Sequence, residues 1–279
     1  MKGLWRTYVL SNVHISLCAV VFCWAGYELL EIAINPCVLV FLFAGSLCTY
    51  TVHRIISGGQ VSGALIGHER FSFVRKIGRW KIAYLSIIIF VSLFSFSMLS
   101  QQLRLYLAVL SALCIGYIIP ILGSKKRLRD INMLKIFLVA LVWAGIFMIP
   151  LSEMKESSWS SSFLFLFIEK FIFIFALTLP FDLRDRKLDQ ASQLNTFASS
   201  LSTKKVKIII SILLIACLSL SFLLYFRGTY SFYVMLSLCG FYTIQAFLSL
   251  RITSKTTEIY YLGLLDGLIM LQAILIIFA

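Results

Sequence analysis

Asp182, Asp185 and Asp189 stand at i, i+3 and i+7 in the segment Leu179-Pro180-Phe181-Asp182-Leu183-Arg184-Asp185-Arg186-Lys187-Leu188-Asp189. At 100° per residue, a helix continuing through this segment places them at about 0°, 300° and 340°, so all three carboxylates share one face. Like charges so placed repel by a few tenths of a kcal/mol per pair, and a shared divalent cation relieves that repulsion. Hard oxygen ligands of this kind suit Mg²⁺, which takes one or two carboxylates and completes its shell with water and substrate phosphate. The alternative is a solvated charged turn in which Arg184, Arg186 and Lys187 neutralise the acids. Spacing alone leaves both open.

The elements that carry these acids are membrane helices. The chain has 279 residues, 60% hydrophobic and only 13% charged, with a mean hydropathy of +0.95. Soluble domains are nearer 45–50% apolar and about 25% charged. A bilayer-crossing helix needs about 20 apolar residues, and nine of them take up about two-thirds of this chain. A soluble enzyme, a disordered chain and a single-anchor protein are excluded. So is a β-barrel, because the apolar runs are continuous and do not alternate with period two. Nine segments are expected at roughly 10–30, 37–56, 81–99, 103–121, 133–151, 162–181, 205–226, 229–250 and 259–278, forming one all-α membrane unit over residues 1–279. Pro36, Pro120, Pro150 and Pro180 fall at the expected boundaries, where a missing N–H costs least. Lys2 and Arg6 precede the first run in the manner of a signal peptide, but no small-residue cleavage site follows, and the run is kept as a span.

The net charge of +13 follows the membrane and does not indicate nucleic acid. Of 25 Lys and Arg, 21 lie in the N-terminus and the loops after spans two, four, six and eight; only Arg104, Lys155 and Arg227 lie opposite, with Lys170 inside span six. The positive-inside rule then puts the N-terminus and the Asp cluster on the cytoplasmic side, as expected for a multi-pass protein of a bacterial cytoplasmic membrane. The seven cysteines sit in or beside apolar runs without a C-x-x-C pair and read as packing residues.

The span-six segment, followed by Asn195-Thr196-Phe197-Ala198, resembles the second Asp-rich motif of the UbiA superfamily of intramembrane prenyltransferases, approximately D-x-R-D-x-x-x-D with a small residue, Thr and Ala beyond it. Leu128-Arg129-Asp130-Ile131, Leu134-Lys135-Ile136-Phe137, Val142-Trp143-Ala144, Ser11-Asn12 and Asp266-Gly267 extend the resemblance along the chain. It implies a nine-helix bundle around a lipid-accessible cavity. It also implies Asp182, Asp185 and Asp189 as Mg²⁺ ligands on an allylic isoprenoid diphosphate, with prenyl transfer to a lipophilic or aromatic acceptor. In the family a first Asp-rich motif, N-D-x-x-D-x-x-x-D, closes helix two. Here that place reads Tyr50-Thr51-Val52-His53-Arg54-Ile55-Ile56-Ser57, without an acid. One Mg²⁺ site is thereby lost.

Two outcomes follow. His53 and Arg54 take over part of the metal's task, Arg54 as a bidentate fork to phosphate and a protonated His53 as a second cation; Arg70, in the loop that covers the family's active site, and Arg184 then add contacts to the diphosphate. Alternatively the chain keeps the fold and binds an isoprenoid or other lipid without ionising it. Arg54, His53 and Arg70 each also read as ordinary interfacial residues, worth about 1 kcal/mol per cation on anionic headgroups. A transporter is less supported, since no inverted repeat or broken mid-span pair is visible. Charges inside spans are functional candidates by default: Glu169-Lys170, read first as a structural pair that is only partly matched because adjacent residues point about 100° apart, with lining of the cavity below the Asp cluster as the alternative, and Asp266, which either hydrogen-bonds to a neighbouring helix or lines the cavity. His14 reads as a satisfied interhelical residue.

Overall fold

A computed structural model of the chain describes residues 2–60, 69–121, 127–154, 160–191, 196–253 and 255–279. Among these residues there are helices and no strands. The helices are α1 (Lys2–Leu10), α2 (Val13–Leu29), α3 (Pro36–Gln60), α4 (Ser72–Ile77), α5 (Lys81–Ser97), α6 (Gln101–Ile118), α7 (Leu134–Phe147), α8 (Ser161–Ala191), α9 (Phe197–Ser200), α10 (Thr203–Phe226), α11 (Phe232–Leu250) and α12 (Asp266–Phe278).

Seven helices are individually long and apolar enough to cross a membrane, and α1 with α2 makes an eighth if the pair, bent by 65°, is one span. The expected count of nine is therefore not reached among the described residues. The shortfall lies in α7, which has 14 residues and extends only about 21 Å. Pro150 sits just beyond it in a 3₁₀ turn, Ile149–Glu153. The bend between α1 and α2 falls at Asn12, whose φ of 69° is left-handed, a conformation Asn tolerates better than most residues. Asn12 Nδ2 donates to Thr51 Oγ1 at 3.2 Å, tying the bend to α3.

Pro180 is a second departure. The sequence places it at a span end, yet it lies inside α8, which runs unbroken for 31 residues. Proline removes one helical donor, a loss that membrane bundles tolerate where neighbouring groups re-satisfy the backbone. Continuation past Pro180 is what carries the three acids on a helix. At the other ends, Ser100, Ser202 and Ser231 cap α6, α10 and α11 by accepting from Leu103, Lys205 and Val234 backbone N–H groups.

The core runs through α2, α7, α8, α11 and α12, with Phe22, Phe147, Phe173 and Phe241 fully buried. Close helix approach needs small residues: a Cβ on Gly26 would stand 2.1 Å from the Phe147 carbonyl oxygen. On the outside, Ile82, Phe90, Leu93 and Phe94 of α5 are exposed, as lipid-facing residues are. A six-residue π segment, Tyr260–Leu265, leads into α12. The carbonyl of Gly263 there accepts from His14 Nε2 at 3.0 Å, while His14 Nδ1 accepts from Tyr8 Oη at 3.2 Å. His14 is thus a satisfied interhelical residue.

Candidate functional site

The acid face of α8 points at the first turn of α7. Lys135 Nζ lies 3.1 Å from Asp182 Oδ1, 3.9 Å from Asp185 Oδ2 and 3.2 Å from Asp189 Oδ2, with all four side chains largely buried. The one-face geometry expected from i, i+3, i+7 is therefore present, and an ammonium occupies its focus. Burial raises the Asp189 carboxyl above the usual range, an effect that the adjacent Lys135 charge only partly offsets.

Ahead of α7, the turn Leu128–Asp130 is clamped by Arg127. Its Nε donates to Asp130 Oδ2 at 2.9 Å, its Nη2 to Oδ1 at 3.0 Å, and its backbone N–H to Oδ2 at 2.9 Å. Burial alone would raise the Asp130 carboxyl; these bonds outweigh it and hold the group below its ordinary value. The clamp presents Arg129 across the bundle end. Arg129 Nη1 donates to His53 Nε2, and its guanidinium lies 5.1 Å over the Tyr117 ring. Burial opposes the Arg129 charge, but Tyr117, Asp185, Asp189 and Asp130 more than restore it, so its guanidinium is held even more firmly protonated than usual.

Adjacent to this polar layer is a cavity of about 680 Å³ between α3, α5, α6 and α7. Phe41, Phe96, Tyr50 and Trp143 supply aromatic wall, and His53 and Tyr117 line the same cavity. From Phe41 to His53 along α3 is about 18 Å. None of the three acids lines it. They meet Lys135 of α7 instead, while His53 and Tyr117, with Arg129 against both, stand where the cavity adjoins this polar layer.

The other expected site residues divide. His53 is at the cavity, where its Nε2 meets Arg129 Nη1 and lies 3.4 Å from Ser57 Oγ. Arg54, one residue on and rotated about 100°, turns away; its Nη1 donates to the Leu10 carbonyl at 2.6 Å and it is outside the cavity lining. Arg184 forks onto Asp185 at 2.9 and 3.2 Å, reaches Glu258 at 3.3 Å and stacks 5.2 Å over both Phe181 and Tyr261. It is committed to acids and aromatic rings. Asp266 lies within electrostatic reach of Arg184 and Arg54. The side chain of Arg70 and the residue Asn195 lie outside the described residues.

Glu169 and Lys170 form a separate centre. They pair at 2.8 Å with no exposure. Tyr230 donates to Glu169 Oε2 at 3.0 Å, Tyr242 donates to Oε1, and Gln272 links Tyr242 (3.1 Å) to Lys170 (3.4 Å). The expected partial match is thus a complete one, because neighbouring helices supply what adjacency on one helix does not.

The implied Mg²⁺ does not fit the residues as they stand. Mg²⁺ demands oxygens at about 2.0–2.1 Å in octahedral array. Here the carboxylates converge on an ammonium, and among the described residues no group of three or more His, Cys, Asp or Glu is disposed to hold a metal. Three carboxylates are met by three cations of the chain: Lys135, Arg184 on Asp185, and Arg129 within reach of Asp185 and Asp189. Lys135, Arg129 and Tyr117 are the residues that sequence reasoning passed over as site candidates. The one available signal was a lysine set among apolar residues in Leu134-Lys135-Ile136-Phe137.

No family model and no curated protein sequence matches the chain. Solved structures do. A UbiA homologue from Archaeoglobus fulgidus bound to GPP and Mg²⁺ superposes with a TM-score of 0.67 at 14% identity, over 98% of this chain and 100% of that one. A digeranylgeranylglyceryl phosphate synthase gives 0.60 at 12% identity over 99% of both chains. The apo UbiA homologue from Aeropyrum pernix K1 gives 0.60 at 10%, over 95% and 96%. Similarity along the whole chain, joined to the apolar helices and the acid-bearing α8, establishes that this integral multi-pass membrane protein has the UbiA fold.

Proposed function

We propose that the chain binds an allylic isoprenoid diphosphate, tail in the cavity and head group at Arg129, and transfers the prenyl group to a lipophilic or aromatic acceptor. The carrying observation is the apposition of the 680 Å³ aromatic-walled cavity to the Arg129–His53–Tyr117 cluster. The A. fulgidus homologue of the same fold, bound to GPP and Mg²⁺, supports the ligand class. In such a transfer the C1–O bond breaks, pyrophosphate leaves, and the acceptor attacks the allylic cation and then loses a proton. Arg129 can fork onto phosphate oxygens as their charge grows. Tyr117 and Tyr50 line the cavity and can offer aromatic rings to an allylic cation, and its apolar walls disfavour water. The head-group end is proposed to face the cytoplasm, by the positive-inside rule.

The purified chain given geranyl diphosphate and a lipophilic phenol should release pyrophosphate. Arg129→Ala should lower that release by about tenfold or more, the value of a charge-assisted contact. A second function has its own support: with no acid between Tyr50 and Ser57 and Lys135 on the triad, the fold can hold an isoprenoid lipid without ionising it. Binding without pyrophosphate release selects that function. Absence of binding overturns both.

A further inference from the structure

We infer that Lys135 is a built-in counter-ion which takes the place of a divalent cation on the Asp182/Asp185/Asp189 triad, so that the head-group site works without one. This rests on the head-group site proposed above, but its primary test does not involve lipid. Lys135 Nζ is within 3.9 Å of an oxygen of every acid in the triad and within 3.2 Å of two. A divalent ion would need the same oxygen lone pairs at about 2.0–2.1 Å, which leaves the ammonium and the ion mutually exclusive. Lys135 also lies in the first turn of α7, whose N-terminal backbone dipole adds positive potential toward the acids.

The charges point the same way. Besides Lys135, Arg184 forks onto Asp185 while also reaching Glu258, and Arg129 adds positive potential at Asp185 and Asp189. The stretch from Tyr50 to Ser57 also carries no acid that could hold a second ion. Across the bundle end that stretch supplies His53, which meets a cation, Arg129. Each feature alone is an ordinary ion pair. Together they describe a triad whose charge is offset by side chains of the chain itself. A tethered ammonium cannot dissociate, so neither chelators nor metal scarcity empties it.

The test is a Mn²⁺ titration of the detergent-solubilised full chain, followed by electron paramagnetic resonance. Lys135→Met should bind Mn²⁺ at least about tenfold more tightly than the parent chain, because a unit positive charge about 4 Å away is removed. Adding Asp182→Asn to that variant should abolish the gain. A parent chain that binds Mn²⁺ as tightly as Lys135→Met overturns the assignment. Should the variant not fold, the parent chain decides alone: its affinity for geranyl diphosphate should agree within about twofold between EDTA and excess Mg²⁺, and a dependence of about tenfold or more overturns the inference. Failure to bind geranyl diphosphate in either condition, with the Mn²⁺ pattern as expected, removes the proposed function and leaves Lys135 as the triad's counter-ion.

Discussion

Two buried centres in this bundle pair a lysine with acids, and they differ in what remains over. At Glu169–Lys170 one acid meets one ammonium, neither is exposed, and Tyr230, Tyr242 and Gln272 complete the hydrogen bonds. At Lys135 three acids meet one ammonium, two of the four side chains keep more than a tenth of their surface exposed, and Arg129 connects the cluster to a cavity. The first is closed and satisfied, the mark of an element that fixes helix packing. The second has acids that need cations from three separate elements, beside space for a ligand. Charge inside a membrane protein therefore separates by completeness: a finished pair holds the fold, while a cluster balanced only by reaching across the bundle can respond to what binds.

The largest effect expected from breaking that contrast is at the closed centre. Lys170→Met leaves Glu169 buried without its counter-charge and should destabilise the chain by about 3–5 kcal/mol. Thermal unfolding in detergent measures it, and adding Glu169→Gln should recover part of the loss. An unchanged midpoint would show that the pair does not hold the fold. Lys135→Met should cost less, about 1–3 kcal/mol, because Arg184 and Arg129 remain beside the triad; unlike the Lys170 variant, it should regain stability on addition of Mn²⁺.

Arg129→Ala should weaken geranyl diphosphate binding by about tenfold, whereas Arg184→Ala, whose guanidinium is already given to Asp185 and Glu258, should shift it by no more than about twofold. Equal losses by equilibrium binding would place the head group elsewhere. The smallest effect concerns the Arg127 clamp. The folded-state Asp130 carboxyl titrates below its unfolded value, so its stabilisation is present above about pH 4 and is lost as pH falls through the folded value. Being partly exposed, the pair is worth at most about 1 kcal/mol. Asp130→Asn should flatten the acid limb of the unfolding midpoint against pH; an unaltered limb would remove the clamp from the account.

Periodicity made part of this legible. Three acids at i, i+3 and i+7 on a helix must share a face, and they do. Hydropathy marked the helical segments, but α7 fell short of a span because composition does not report where a helix unwinds, and Pro180 misled because a packed bundle carries a proline that an isolated helix would not. His53 and Arg54 are neighbours in sequence, yet on α3 they diverge, one toward the cavity and the other to the Leu10 carbonyl. Lys135 is one basic residue among 21 on its side of the membrane, and its apolar neighbours are the one local signal.

Read alone, the chain determines its solvent, its helices and the common face of the acids, since transfer free energy and the 3.6-residue turn act over neighbouring positions. Only the packed bundle decided which cation meets those acids and where the cavity opens. Lys135 is 47 residues from Asp182, and Arg129 is 76 from His53. Contacts over such separations depend on how helices cross and rotate, and therefore on side-chain fit summed over the whole bundle.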